Sequence, residues 1–164
     1  MSTTAVPLTE YLHTDYSPDV DYIDGELEER NVGEWDHARL QGLIERFLGS
    51  REAEWGILVV PEQRVQVSGT RFRVPDLAVV SSRPTGGIVT EPPLLCIEIL
   101  SPEDRATRVQ ARIDDYLNMG VPCVWLIDPA TRRAWIYTTE GQREAKDGIL
   151  TAGRIRLPLA DIGE

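Results

Sequence analysis

From Glu34 to about Phe47 apolar residues recur at helical spacing, with Trp35, Leu40, Leu43, Ile44, Phe47 and Leu48 set among polar ones. That period predicts an amphipathic helix laid on a sheet. Downstream the pattern shortens to β-rich runs, GILVV at 56–60, RVQVS at 64–68, RFRV at 71–74 and DLAVV at 76–80, broken by Pro61, Gly69 and Thr70. RVQVSGTRFRV reads as a hairpin. Upstream, TEYLHTDY makes one short helical turn and DYIDGELEER a strand or hairpin around Asp24–Gly25. Residues 1–20 are expected to be peripheral, and 21–164 to form a single domain.

The run LLCIEIL at 94–100 is apolar throughout except for Glu98. Ser101, Pro102 and Asp104 follow as an N-cap, a first helical proline and a capping-box acid, which predicts a strand running straight into a helix. Ala106, Val109, Ile113, Tyr116 and Leu117 form that helix's apolar stripe, and Gly120 with Pro122 ends it before the buried strand CVWLID at 123–128. This is a β-α-β unit, whose right-handed crossover makes its two strands parallel. A turn at DPATRR leads into AWIYT, and the tail keeps weaker β character.

At 164 residues, 41% hydrophobic and 27% charged, the chain can bury a core of its own as one α/β domain. No apolar stretch approaches the roughly 20 residues that span a bilayer, and the start carries no leader-like pattern, so the expected location is the cytoplasm. Cys96 and Cys123 both sit in apolar runs and read as small core residues. With only His13 and His37 besides, a Cys/His zinc site is hard to assemble, and any metal would be held by carboxylates. A net charge of −10 argues against coating nucleic acid broadly, although an arginine patch and a divalent cation can reverse the field at one site.

Two acids stand out by position: Asp76, behind Pro75 at the head of an apolar strand, and Glu98 inside one. A buried carboxylate needs a cation, a donor or a metal. Two converging at a sheet edge suit Mg²⁺, which takes one or two carboxylates and fills its octahedron with water and phosphate oxygens. The chemistry implied is metal-assisted phosphodiester hydrolysis. The structural readings are a turn carboxylate capping backbone N–H groups for Asp76 and a buried ion pair with Arg112 for Glu98.

The order Pro75-Asp76, LLCIEILSP with Glu98, then DDYLNMGVPCVWLIDP resembles the Uma2 family of the PD-(D/E)xK nucleases, over most of the chain from DYIDGELEER to RRAWIY. The resemblance implies a restriction-endonuclease-like mixed β-sheet flanked by helices in a single compact domain. It implies Mg²⁺ or Mn²⁺ on Asp76 and Glu98, with DNA as the substrate. The lysine of these relatives comes from the helix after the glutamate, and Arg112 stands at its place, four residues before Tyr116. Arginine can anchor a phosphate or stabilise developing charge but cannot act as a base. Lys146, the only lysine, lies far along the chain in a turn-like segment.

Arg105, Arg108 and Arg112 recur at i, i+3 and i+7, either as a nucleic-acid-binding edge beside the metal or as a solvated face with an Asp104–Arg108 pair. Glu26, Glu28 and His37 are lesser candidates near the cleft. Arg132 and Arg133 read as turn charges, Trp125 and Trp135 as core. A homodimer would suit cutting of both strands. The alternative function is a catalytically silent nuclease-fold module that binds or regulates a partner.

Overall fold

The computed structural model describes residues 4–31 and 34–163. Its centre is a six-stranded mixed sheet in the order β10-β9-β8-β7-β6-β3, formed by β3 (Leu58–Pro61), β6 (Leu77–Val80), β7 (Leu95–Ile99), β8 (Val124–Ile127), β9 (Ala134–Thr138) and β10 (Gly141–Glu144). Only β7 and β8 run parallel, joined by α4 (Ala106–Met119) as the β-α-β reading predicts. A four-stranded antiparallel sheet, β2-β1-β5-β4, is built from β1 (Asp21–Ile23), β2 (Glu26–Glu28), β4 (Val65–Ser68) and β5 (Arg71–Arg73). The remaining elements are α1 (Leu8–Leu12), α2 (Trp35–Gly49), α3 (Glu52–Trp55), the hairpin β11 (Ile149–Ala152) with β12 (Ile155–Pro158), and a 3-10 turn over Leu159–Ile162.

The central strands are apolar on both faces because both faces are covered. Leu95, Ile97 and Ile99 of β7 and Trp125 and Ile127 of β8 pack with Leu40, Ile44 and Leu48 of α2 and with the β11–β12 hairpin. Cys96, Val124 and Leu126 alternate to the other side, against Val109, Ile113 and Tyr116 of α4 and Val65 and Val67 of β4. By that alternation Glu98 belongs to the α4 side. Both cysteines are buried free thiols, as their runs imply. Tyr11, Val20, Tyr22 and Phe72 form a smaller cluster under α1.

The hairpins follow the turn chemistry. Asp24 and Gly25 both adopt positive φ (51° and 97°) between β1 and β2, the requirement of a type I′ turn. Helix α4 ends at Gly120 (φ 110°), where a side chain would also come within 3.3 Å of Pro92.

Two expectations fail here. Trp35, counted in the apolar stripe of α2, is 76% exposed: it occupies the first helical position, one turn short of the residues that reach the sheet. And α4 begins at Ala106 rather than Pro102, with Arg105 as its N-cap. Asp104 does reach back to the Ser101 N–H (2.8 Å), but residues 101–104 close a separate turn, because the same carboxylate also accepts from Asn31 (2.8 Å).

Candidate functional site

Strands β6 and β7 pair with Leu77 opposite Ile97, and the register carried one step further sets Asp76 against Glu98. Two carboxylates opposed in this way repel, and both are buried, so the surrounding chain must neutralise them. It does so unequally.

Asp76 is fully partnered. Its Oδ1 accepts from Arg30 Nη2 at 2.9 Å and its Oδ2 from the Ile99 N–H at 2.7 Å, with His37 Nε2 at 3.3 Å from Oδ2. Gln41 of α2 donates to the Asp76 carbonyl at 2.9 Å. Burial opposes the charge on Asp76, but the hydrogen bond and charge of His37, the Arg30 guanidinium and the Ile99 amide together outweigh it and hold the carboxyl below its ordinary value. Burial likewise opposes protonation of His37, yet its contact with Asp76 raises its pKa.

Glu98 is under-partnered. Tyr116 donates to its Oε1 at 2.6 Å, and burial pushes its pKa up to about 7, with Arg112 pulling it down and Asp76 adding to the rise. Arg112 acts on it through space. Among the described residues the ion pair of Arg112 is to Asp104 at 3.6 Å, so neither the expected Glu98–Arg112 pair nor the Asp104–Arg108 pair forms.

Arg112 Nε and Ser101 Oγ are buried without a hydrogen-bond partner among the described residues. Both residues border one narrow cleft with Asp76, Glu98, Ile99 and Arg30. Next to it, Arg105 and Arg108 line a wider cleft of about 220 Å³ together with Arg112, Glu28 and Asp104. Thus the predicted residues Asp76, Glu98, Arg112, Arg105 and Arg108 do gather, although the arginine face is divided: Arg112 is turned inward while the other two are exposed. Glu28 lies 3.7 Å from Arg73, and Glu26 is exposed on β2. Trp125 is core and donates from Nε1 to the Thr151 carbonyl, and Arg133 pairs with Glu144 as expected of a turn charge, whereas Trp135, expected in the core, is only partly buried against it.

Sequence reasoning missed Arg30, Asn31 and Gln41, and gave Tyr116 only a packing role. All four act across long sequence separations that a linear pattern does not carry. Among the described residues no group of three or more His, Cys, Asp or Glu side chains gathers as metal ligands. The carboxylates come as a pair, the number that Mg²⁺ commonly draws from protein.

A pH dependence follows for the chain kept in chelator. Glu98, raised from 4.5, contributes stability fully below its unfolded value and loses it as pH rises through about 7. His37, also raised, loses its contribution in the same direction. Asp76, lowered from 3.8, contributes above that value and loses only as pH falls. Unfolding free energy is therefore expected to drop by on the order of 2 kcal/mol between pH 5 and pH 8. Urea titrations across that range test it, and a curve that rises with pH would contradict the assignment.

The family described as "Uma2: Putative restriction endonuclease" matches residues 8–159. Among solved structures, a putative nuclease belonging to DUF820 from Anabaena variabilis ATCC 29413 superposes with a TM-score of 0.81 at 24% identity, covering 96% of this chain and 97% of that one. That likeness establishes the nuclease-type fold. A search of curated proteins returned no match. No helix among the described residues is long and apolar enough to cross a membrane.

Proposed function

We propose that this chain, which belongs to the Uma2 family, hydrolyses DNA phosphodiester bonds internally with a divalent metal, Mg²⁺ or Mn²⁺, held by Asp76 and Glu98. The observation that carries the reading is the opposed pair of buried carboxylates bordered by two unsatisfied polar atoms, Arg112 Nε and Ser101 Oγ. Carboxylate oxygens, those of Asp76 shared with Arg30, His37 and the Ile99 N–H, beside a free donor on Arg112 suit a cation and a phosphate together.

A cation bound there supplies Lewis acidity at the phosphoryl group. The chain's own residues do the rest. His37 and Arg30 keep Asp76 ionised, and Tyr116 orients Glu98 through its short hydrogen bond. Arg112, charged at every relevant pH, anchors the scissile phosphate and stabilises charge developing on it. Arg105 and Arg108 offer two exposed guanidinium groups to the nucleic-acid backbone beside Arg112, in a cleft that Glu28, Glu29, Glu103 and Asp104 also line.

The test is cleavage of supercoiled and single-stranded DNA with Mg²⁺ or Mn²⁺ by the wild type and by Glu98→Ala prepared identically. Cutting by the wild type alone is expected, and equal cutting by both would mean a contaminant. Nicked circles are the product of one centre acting alone, and linear DNA that of two acting together as in a homodimer. Inactivity of both favours the silent module, a reading supported by Asp76, whose two oxygens are already engaged by Arg30, His37 and the Ile99 N–H.

Tyr116 is a positioning residue in this scheme. Tyr116→Phe removes the donor to Glu98, and cleavage at pH 7 is expected to fall by roughly 10–100-fold, the usual effect of losing a group that orients a metal ligand. Because the missing donor raises the proton affinity of Glu98, the loss should shrink as pH is raised. A deficit independent of pH would assign Tyr116 to packing alone.

A further inference from the structure

A cavity of about 510 Å³ opens at the other end of the central sheet from the carboxylate pair. Leu94, just before β7, and Cys123, just before β8, border it, whereas Glu98 and Ile99 close β7 at the far end. Its floor is apolar, with Ile57, Ile136 and Ile155 buried beneath it and Trp55 at its side. Leu94 stays 38% exposed at the mouth.

The wall is the β11–β12 hairpin, tied to β8 through the Thr151 carbonyl, which accepts from Trp125 Nε1 at 3.1 Å. Gly153 at positive φ (60°) and Arg154 form the hairpin's two-residue connection, so Arg154 is held at a tight turn rather than on a loose loop. Arg143 pairs opposite Ile136 in the β9–β10 register, which puts both side chains on the cavity side of the sheet, and its Nη2 lies 3.4 Å from Thr151 Oγ1.

Acidic residues outnumber basic ones 27 to 17 along the chain, yet none of the described residues lining this cavity is acidic, while Arg143 and Arg154 both line it. Among the described residues neither arginine has a salt-bridge partner. Two cations without counter-ions over an apolar floor are complementary to an amphipathic anion.

We propose that this cavity is a second ligand site, for a small organic anion with a flat apolar body, such as an aromatic carboxylate, sulfonate or phosphate ester. The volume falls in the range of small-molecule pockets. Low-dielectric walls concentrate the field of the two guanidinium groups, which take an anionic head by charge-assisted hydrogen bonds. The aromatic body lies against Trp55 and the isoleucine floor, burying apolar surface.

The full chain titrated with 1-anilinonaphthalene-8-sulfonate, followed by dye emission, tests the site against N-phenyl-1-naphthylamine, which has the same body without the charge. Saturable binding at one site is expected, weakened about tenfold in Arg143→Gln/Arg154→Gln, with the neutral dye bound alike by both proteins. Both arginines are exposed, so the variant should keep the wild-type melting temperature. Ala152→Phe, which fills the cavity from the hairpin, should abolish saturable binding of either dye. Absence of saturable binding, or binding indifferent to the arginines or to Ala152→Phe, overturns the proposal.

Discussion

Asp76→Ala should lower the free energy of unfolding by about 3–5 kcal/mol, the effect of deleting one member of a buried charged cluster. Arg30 and His37 have side chains only 8% and 9% exposed, and both lean on this carboxylate. The Ile99 N–H loses its acceptor as well. Alanine therefore leaves the Arg30 guanidinium with only its 3.3 Å contact to the exposed Glu62, the His37 ring without its acceptor and one backbone donor unpaired. Asp76→Asn retains an acceptor oxygen and should lose roughly half as much, because only the charge is removed. Urea denaturation at pH 7 reads the difference. A loss under about 1 kcal/mol for the alanine variant would mean that Arg30 and His37 find other partners, and the account of the cluster would be wrong.

Glu98→Gln should do the reverse. Burial already presses this group toward its neutral form, so an amide of the same shape relieves the strain of ionising it, and Tyr116 can still donate to the remaining carbonyl oxygen. Stability at pH 8 is expected to stay level or rise by about 1–2 kcal/mol, and the fall between pH 5 and pH 8 should flatten. Metal-dependent cleavage, by contrast, should drop by at least about 10³-fold, since the amide cannot bear the charge that draws the cation. Paired measurements of melting and cleavage on one preparation separate the two effects. A variant that is destabilised, or that cuts at the wild-type rate, removes Glu98 from the role proposed for it.

The difference between these carboxylates marks what a linear reading can see. Glu98 was visible because β7 is covered on both faces, which makes its sequence apolar and leaves one acid conspicuous. Asp76 was visible through Pro75 and the strand behind it. Their partners were not, because Arg30 and Asp76 are 46 positions apart and neither belongs to a local pattern. His37 looked like any histidine on a helix until α2 was docked beside β7. The start of α4 was misplaced for a related reason: Ser101–Pro102–Glu103–Asp104 has the spelling of a capping box, but Asp104 is also held by Asn31, seventy-three residues away. Arg73 reads as an ordinary polar position of a two-faced strand, yet its side chain is 2% exposed.

That arginine bears on how the molecule opens. Its Nη1 donates to Asp21 of β1 at 3.1 Å and its Nε to Asp115 of α4 at 2.8 Å, while Asp21 also accepts from the Val74 N–H. The small sheet is thereby bolted to the helix that supplies Arg112 and Tyr116. Fluctuations that free α4 must first break a buried pair of ionic contacts, so the amides of β5 and of the middle of α4 should exchange with solvent deuterium in one shared event.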